Sequence, residues 1–288
     1  MTTSSLGPLV TGLVLLAALL HASWNAILKT STDRLRTTCL MNMTGMVVGL
    51  IILLFVKAPA PLSWIYLVLS AVIHVGYFIF LLGSYRFGDL SQVYPLARGV
   101  APLIVAMLSP SLIGEHLGPA QFAGVALLCL GILSLASGQR KLNERFKWEA
   151  IMMALATGLT IAAYTVADGL GVRHSHSPGG YIAWLFVLNG MTMSVVAGWV
   201  HGRGFVSALI VNWRLPVIAG LLAMLAYGIV IWCYSLGAIA PIAALRETSV
   251  IMAAAIGALL LHEPFGARRI LSASFCAIGI VVINLARA

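Results

Sequence analysis

Apolar runs of about twenty residues, each able to cross about 30 Å of hydrocarbon, recur along the whole sequence and are separated only by short polar breaks. Lipid offers backbone groups no water to bond, so runs of this kind must form helices that close their own hydrogen bonds. Ten spans are predicted, near 7–29, 36–56, 63–86, 92–113, 119–138, 149–171, 180–200, 214–236, 239–261 and 268–286. The breaks carry turn chemistry: KAPAP at 57–61, SGQRKLNERFK at 137–147, SHSPGG at 175–180 and GRG at 202–204. Composition agrees, with 61% hydrophobic and 9% charged residues against about 45–50% and 25% in soluble domains. The expected fold class is therefore an all-α polytopic membrane protein with no soluble domain. The first span is too long, and too polar at its far end, for a cleaved signal peptide, and is expected to be retained. Cys39, Cys129, Cys233 and Cys276 fall inside spans at unrelated spacings and read as small buried hydrophobes.

The formal charge of +9 is spread over short loops, which fits a membrane topology and not nucleic-acid binding. Lys29, Arg34, Arg36, Arg86, Arg140, Lys141, Arg145, Lys147, Arg203, Arg214, Arg268 and Arg269 border the odd-numbered loops, while Lys57, Arg173 and Arg287 border the opposite side. Twelve against three places the odd-numbered loops in the cytoplasm and both termini outside.

An internal repeat organises the chain. LARGVAPLIVAMLSPSLIGEHLG (96–118) is echoed by ALRETSVIMAAAIGALLLHEPFG (244–266), and Arg98 stands 17 residues before Glu115 as Arg246 stands 17 before Glu263. The flanks FGDLSQVYPLAR (87–98) and LGAIAPIAALR (236–246) agree in order, as do GVALLCLGILSL (124–135) and SASFCAIGIVVI (272–283). The chain thus divides into a first repeat at 7–138, a basic linker at 139–148 and a second repeat at 149–286. Five spans per half is odd, so the second half is expected to lie inverted, a plan recurrent in secondary transporters with a site at the midplane.

Ten spans in two halves, the turns GEHLG (114–118) and HEPFG (262–266), and the spaced Gly124 and Gly131 resemble the EamA family of the drug/metabolite transporter superfamily. The resemblance implies a ten-span exporter or exchanger of amino acids or other metabolites. It also implies both termini in the cytoplasm, the reverse of the charge bias. The stretch LLHASWNAILK (19–29) is similar to a subgroup linked to phosphonate use.

An ionisable side chain at membrane depth costs at least about 2.5–3.5 kcal/mol unless paired or wet, and so marks a functional site. Arg98, Arg246, Glu247 and Asp168 meet that description. Pro102 removes the hydrogen-bond partner of the Arg98 carbonyl, which predicts a bent fourth span with a wet cavity beside Arg98. His21 and Asn25 lie on one stripe of the first helix with Trp24 beside them, and Tyr164 and Asp168 recur at the matching place of the second half. His74, Tyr77, Tyr94 and Tyr227 add aromatic walls, so these twelve residues form the expected substrate site. Glycines at 124, 131 and 138 predict close helix packing along the fifth span.

Several chemistries are absent from the sequence. There is no phosphate-binding GxxxxGK[ST] loop, HEP at 262–264 is not HExxH, and HSH at 174–176 lacks a third metal ligand. No enzyme, cofactor or metal is expected. The reading is a secondary transporter in the inner membrane that moves a small zwitterionic or anionic metabolite, amino-acid-like, by export or exchange. Its partners are the solute and lipid, and it acts as a monomer, with a dimer as the alternative. The competing readings are an exporter of cationic or aromatic drugs, a carrier of organophosphonates, a channel and an intramembrane enzyme.

Overall fold

The computed structural model describes residues 6–87, 90–136, 148–201, 212–260 and 267–286, and in them the regular structure is helical. The helices are α1 (Pro8–Thr30), α2 (Arg34–Ile52), α3 (Ser63–Phe87), α4 (Leu90–Leu108), α5 (Pro119–Ala136), α6 (Trp148–His174), α7 (Pro178–His201), α8 (Arg214–Tyr234), α9 (Ile239–Arg246), α10 (Ser249–Leu260) and α11 (Ala267–Leu285). Prolines stand at the first positions of α1, α5 and α7, where the missing N–H has no intrahelical partner to lose. Asp33 caps α2 by accepting the Arg36 N–H at 3.0 Å. Among the described residues seven helices are long and apolar enough to cross a membrane, and α5 and α11 carry shorter apolar stretches. Phe55, Val195 and Trp199 are among the large apolar side chains exposed on the outside, as lipid contact requires. The basic linker up to residue 147, the HEPFG turn, the GRG loop and Gly138 lie outside the described residues.

Two spans differ from the sequence expectation. In the fourth, α4 is helical through Pro95 and Pro102, and the irregular backbone of the span is a π-helical turn at Ser109–Ile113 containing its third proline, Pro110. Gly114, at φ 73°, ends that turn in the left-handed region. The ninth span is two helices, because Glu247 and Thr248 form a turn between α9 and α10. The Thr248 hydroxyl donates to the Leu245 carbonyl at 2.7 Å, and Glu247, Thr248 and Ser249 are all buried. Irregular backbone at that depth is tolerated because protein surrounds it.

Packing partners exchange between the two halves. α3 packs on α6 and α1 on α8, while α2 packs on α7 and α5 on α11. A Cβ at Gly131 would lie 2.9 Å from the Ser272 carbonyl oxygen, and one at Gly124 would lie 3.0 Å from that of Gly279, so α5 and α11 run antiparallel. α2 and α7 do the same, with Gly49 against Ala183 and Gly190 against Asn42. The expected close packing of the fifth span is thus a seam with the last helix. Gly131→Leu should break that seam, since even its Cβ would stand 2.8 Å from the Cys276 sulfur. Overpacking of this kind costs about 1–3 kcal/mol, to be read as a lower melting temperature of the purified protein, whereas Ser134→Ala, one turn away, should change it little.

Candidate functional site

A cavity of about 190 Å³ lies between the halves. It starts at the end of the molecule where α1 finishes and α2 begins, with exposed Arg34 at its mouth, and descends past Thr38 and Asn42 of α2 and Phe78 of α3 to Arg98 and Arg246. Ten of the twelve residues expected from the sequence line it: His21, Trp24, Asn25, His74, Tyr77, Tyr94, Arg98, Tyr164, Tyr227 and Arg246. Asp168 and Glu247 stand behind the wall and are 0% and 1% exposed.

Glu247 ties the two arginines together from the turn between α9 and α10. Its Oε2 lies 2.6 Å from Arg98 Nε, and its Oε1 accepts from Arg246 at 3.1 and 3.3 Å. Both guanidiniums are 3% exposed, so the broken ninth span delivers one carboxylate to two buried cations. The triad carries one net positive charge. Arg98 Nη2 also reaches His21 Nε2 at 2.8 Å. An arginine donates only, so His21 Nε2 accepts and the imidazole proton sits on Nδ1.

Aromatic rings hold the cations from the side. Arg98 lies over Tyr94 at 5.7 Å, and Arg246 lies over Tyr164 and Tyr227 at 6.0 and 5.8 Å. His74 stacks on Tyr164 at 4.3 Å, with Tyr77 edge-on to Tyr164 at 5.9 Å. Asp168 on α6 accepts the hydroxyl protons of Tyr181, at 3.0 Å, and of Tyr227. Its place is therefore behind Tyr227, where it fixes a ring of the wall, and not on the wall itself. The indole N–H of Trp24 is buried with no hydrogen-bond partner among the described residues.

The opposite end of the molecule carries a network that the sequence did not suggest. Arg173, at the end of α6, donates to Glu115, to the Gly237 carbonyl at 2.6 Å and to the Tyr234 carbonyl at 2.9 Å. Glu115 in turn accepts the Ile239 N–H at 2.9 Å. Glu115 belongs to the first half and the other four groups to the second, so the network joins the halves. Nearby, the Ala60 N–H donates to the Ser175 carbonyl and the Ser177 hydroxyl to that of Lys57. Asn189 of α7, 8% exposed, is a further wall residue that the sequence reading did not select.

The EamA-like transporter family model matches the chain twice, over residues 9–137 and 148–285. No curated protein matches it. A solved structure described as "Crystal structure of protein" superposes with a TM-score of 0.73 over 96% of this chain and 98% of its own, at 18% identity, which shows a shared fold. Two copies of one family pattern, on a chain whose described residues form apolar helical spans, make this a multi-pass membrane transporter. The chain belongs to the EamA-like transporter family.

Proposed function

We propose that the chain is a secondary transporter of a small anionic or zwitterionic metabolite, working by alternating access between two inverted five-helix repeats in the inner membrane. The observation that carries this is the Arg98–Glu247–Arg246 triad at the base of the cavity. Three charges at membrane depth are stable together, yet one carboxylate does not saturate two guanidinium forks. A substrate carboxylate or phosphonate completes the set by sharing the arginines with Glu247. The cavity wall offers no free carboxylate among the described residues, which argues against a cationic drug as cargo.

Alternating access is supported by the contrast between the two ends. The cavity reaches the surface at Arg34, while the Glu115–Arg173 network seals the other end. The antiparallel seams of α5 with α11 and α2 with α7 support inversion, because a two-fold axis across paired antiparallel helices turns one half upside down relative to the other. By the charge bias of the loops the open end faces the cytoplasm, the loading side for export or exchange, whereas the topology implied by the family resemblance turns it outward.

A solute screen by thermal stabilisation tests the reading, since a ligand that binds only the folded state raises its melting temperature. Small carboxylates and phosphonates are expected to stabilise the parent, and stabilisation confined to organic cations would contradict the reading. Trp24→Ala should weaken transport about tenfold through lost contact area and an absent indole donor, at equal membrane insertion. Unchanged rates would return Trp24 to a packing role.

A further inference from the structure

His21 is the neutral neighbour of the charged triad. Its Nε2 accepts from Arg98 Nη2 at 2.8 Å, and its ring stands edge-on to Trp24 at 4.7 Å on the cavity wall. While Arg98 points an N–H at that nitrogen, Nε2 cannot also carry a proton. Arg98 Nε lies 2.6 Å from Glu247, so the fork left for a solute is the Nη1–Nη2 pair, and Nη2 is the atom bonded to His21. A bidentate anion therefore competes with the imidazole for Arg98. The groups around His21 set the consequence. Of the helices packed on α1, α9 brings Arg246 to the cavity, α8 brings Tyr227 and α2 brings Arg34 at the mouth, while α10 carries no titratable residue. Arg98 and Tyr94 come from α4. In the empty cavity a proton on His21 would add a second net positive charge to the triad of Arg98, Arg246 and Glu247. A bound monoanion brings that triad to zero, and a proton on His21 then restores the original charge.

We infer that His21 is the proton-binding residue of a coupled carrier: a solute anion draws Arg98 away, the freed Nε2 takes a proton from the water of the cavity, and anion and proton cross together. The inference rests on the reading of Arg98 and Arg246 as the anion site. The hydrogen bond from Arg98 to Nε2 is exchanged for an Nε2–H bond, and the reverse exchange releases the proton with the solute on the far side. Loaded and empty cavities then carry the same net charge. The membrane potential neither drives nor opposes the passage of a monoanion, and the proton gradient does. By linkage each ion raises the affinity of the carrier for the other.

The test uses acetate, butyrate, benzoate and 3-phenylpropionate, all ionised at neutral pH, as ligands of the purified full-length protein. Binding of the tightest of them in weakly buffered solution is expected to take up about one proton per anion, and its Kd should rise by up to about tenfold per unit between about pH 6 and 8. His21→Gln keeps an oxygen that can accept from Arg98 and cannot be protonated, so it should bind the acid without proton uptake and with a flat pH profile. On solid-supported membranes the parent should carry the acid without current. His21→Gln, moving the anion alone, should give a current of about one negative charge per turnover. If the parent takes up no proton, or if the uptake survives His21→Gln and vanishes instead in a variant of the cavity's other imidazole, His74→Gln, the assignment is overturned and the arginine site stands. If none of the four acids binds the parent, the arginine reading itself has failed and the coupling falls with it.

Discussion

Replacing Arg98 with alanine is expected to reduce transport of anionic solutes at least about a hundredfold, the loss of a charge-assisted bidentate contact in a low-dielectric site. The expectation follows from what the substitution leaves behind. Glu247 keeps Arg246 as partner through two contacts at 3.1 and 3.3 Å, so the triad becomes a neutral pair and no buried charge is orphaned. Arg246 is then neutralised by Glu247, and a substrate anion meets no net positive charge. The loss should appear as weaker binding in a protein of nearly unchanged yield. Arg98→Lys keeps the charge but not the planar fork, and so should be partly active at most. Glu247→Gln gives the opposite pattern: it leaves two cations without a counter-charge and should tighten anion binding while slowing turnover. A carrier whose substrate never leaves its arginines does not cycle, because only a difference in affinity between states moves the equilibrium.

Arg173→Ala should unlock the sealed end. Arg173 supplies the side-chain bonds that hold Glu115, Gly237 and Tyr234 together across the two halves. Without it Glu115 keeps the Ile239 N–H among the described residues, and the population open on that side is expected to rise. Cys233 is a built-in reporter, fully buried and next to Tyr234. With Cys39, Cys129 and Cys276 replaced, labelling of Cys233 by a water-soluble maleimide should accelerate about tenfold in the Arg173→Ala protein, which corresponds to about 1.4 kcal/mol of lost closure. Equal labelling rates would show that the network is not what keeps this end shut.

The features legible in the sequence were those that violate the rules of an apolar helix. Arg98, Arg246 and Glu247 stand out because charge in a lipid span needs a reason, and their equivalence across the repeat placed them near one another. The His21, Trp24 and Asn25 cluster was legible from helical period alone. Asp168 shows the limit of that method: α6 is apolar nearly all round, so its sequence does not say which side meets the cavity and which meets α7 and α8. Asn189 is a single amide in an apolar helix, matched by Asn42 in α2, and a lone amide of this kind is ordinary in a membrane span. The Arg173–Glu115 network was hidden for a different reason. Both residues lie at helix ends, where charge is ordinary, and only tertiary packing brings residues 58 apart in sequence together. The turn at Glu247 and Thr248 carries neither Pro nor Gly and is stabilised by side chains reaching back, so no local breaker announced it.

The central claim is that one cavity, floored by Arg98 and Arg246, carries an anionic solute and opens alternately to the two sides. Counterflow in proteoliposomes tests it most directly, using the tightest-binding carboxylate or phosphonate. Vesicles loaded with excess unlabelled solute are placed in a trace of the labelled form. The account predicts a transient accumulation of label above equilibrium, saturating with solute concentration and absent in Arg98→Ala. Simple equilibration without overshoot would indicate a channel, and an overshoot undiminished in Arg98→Ala would place the substrate site elsewhere.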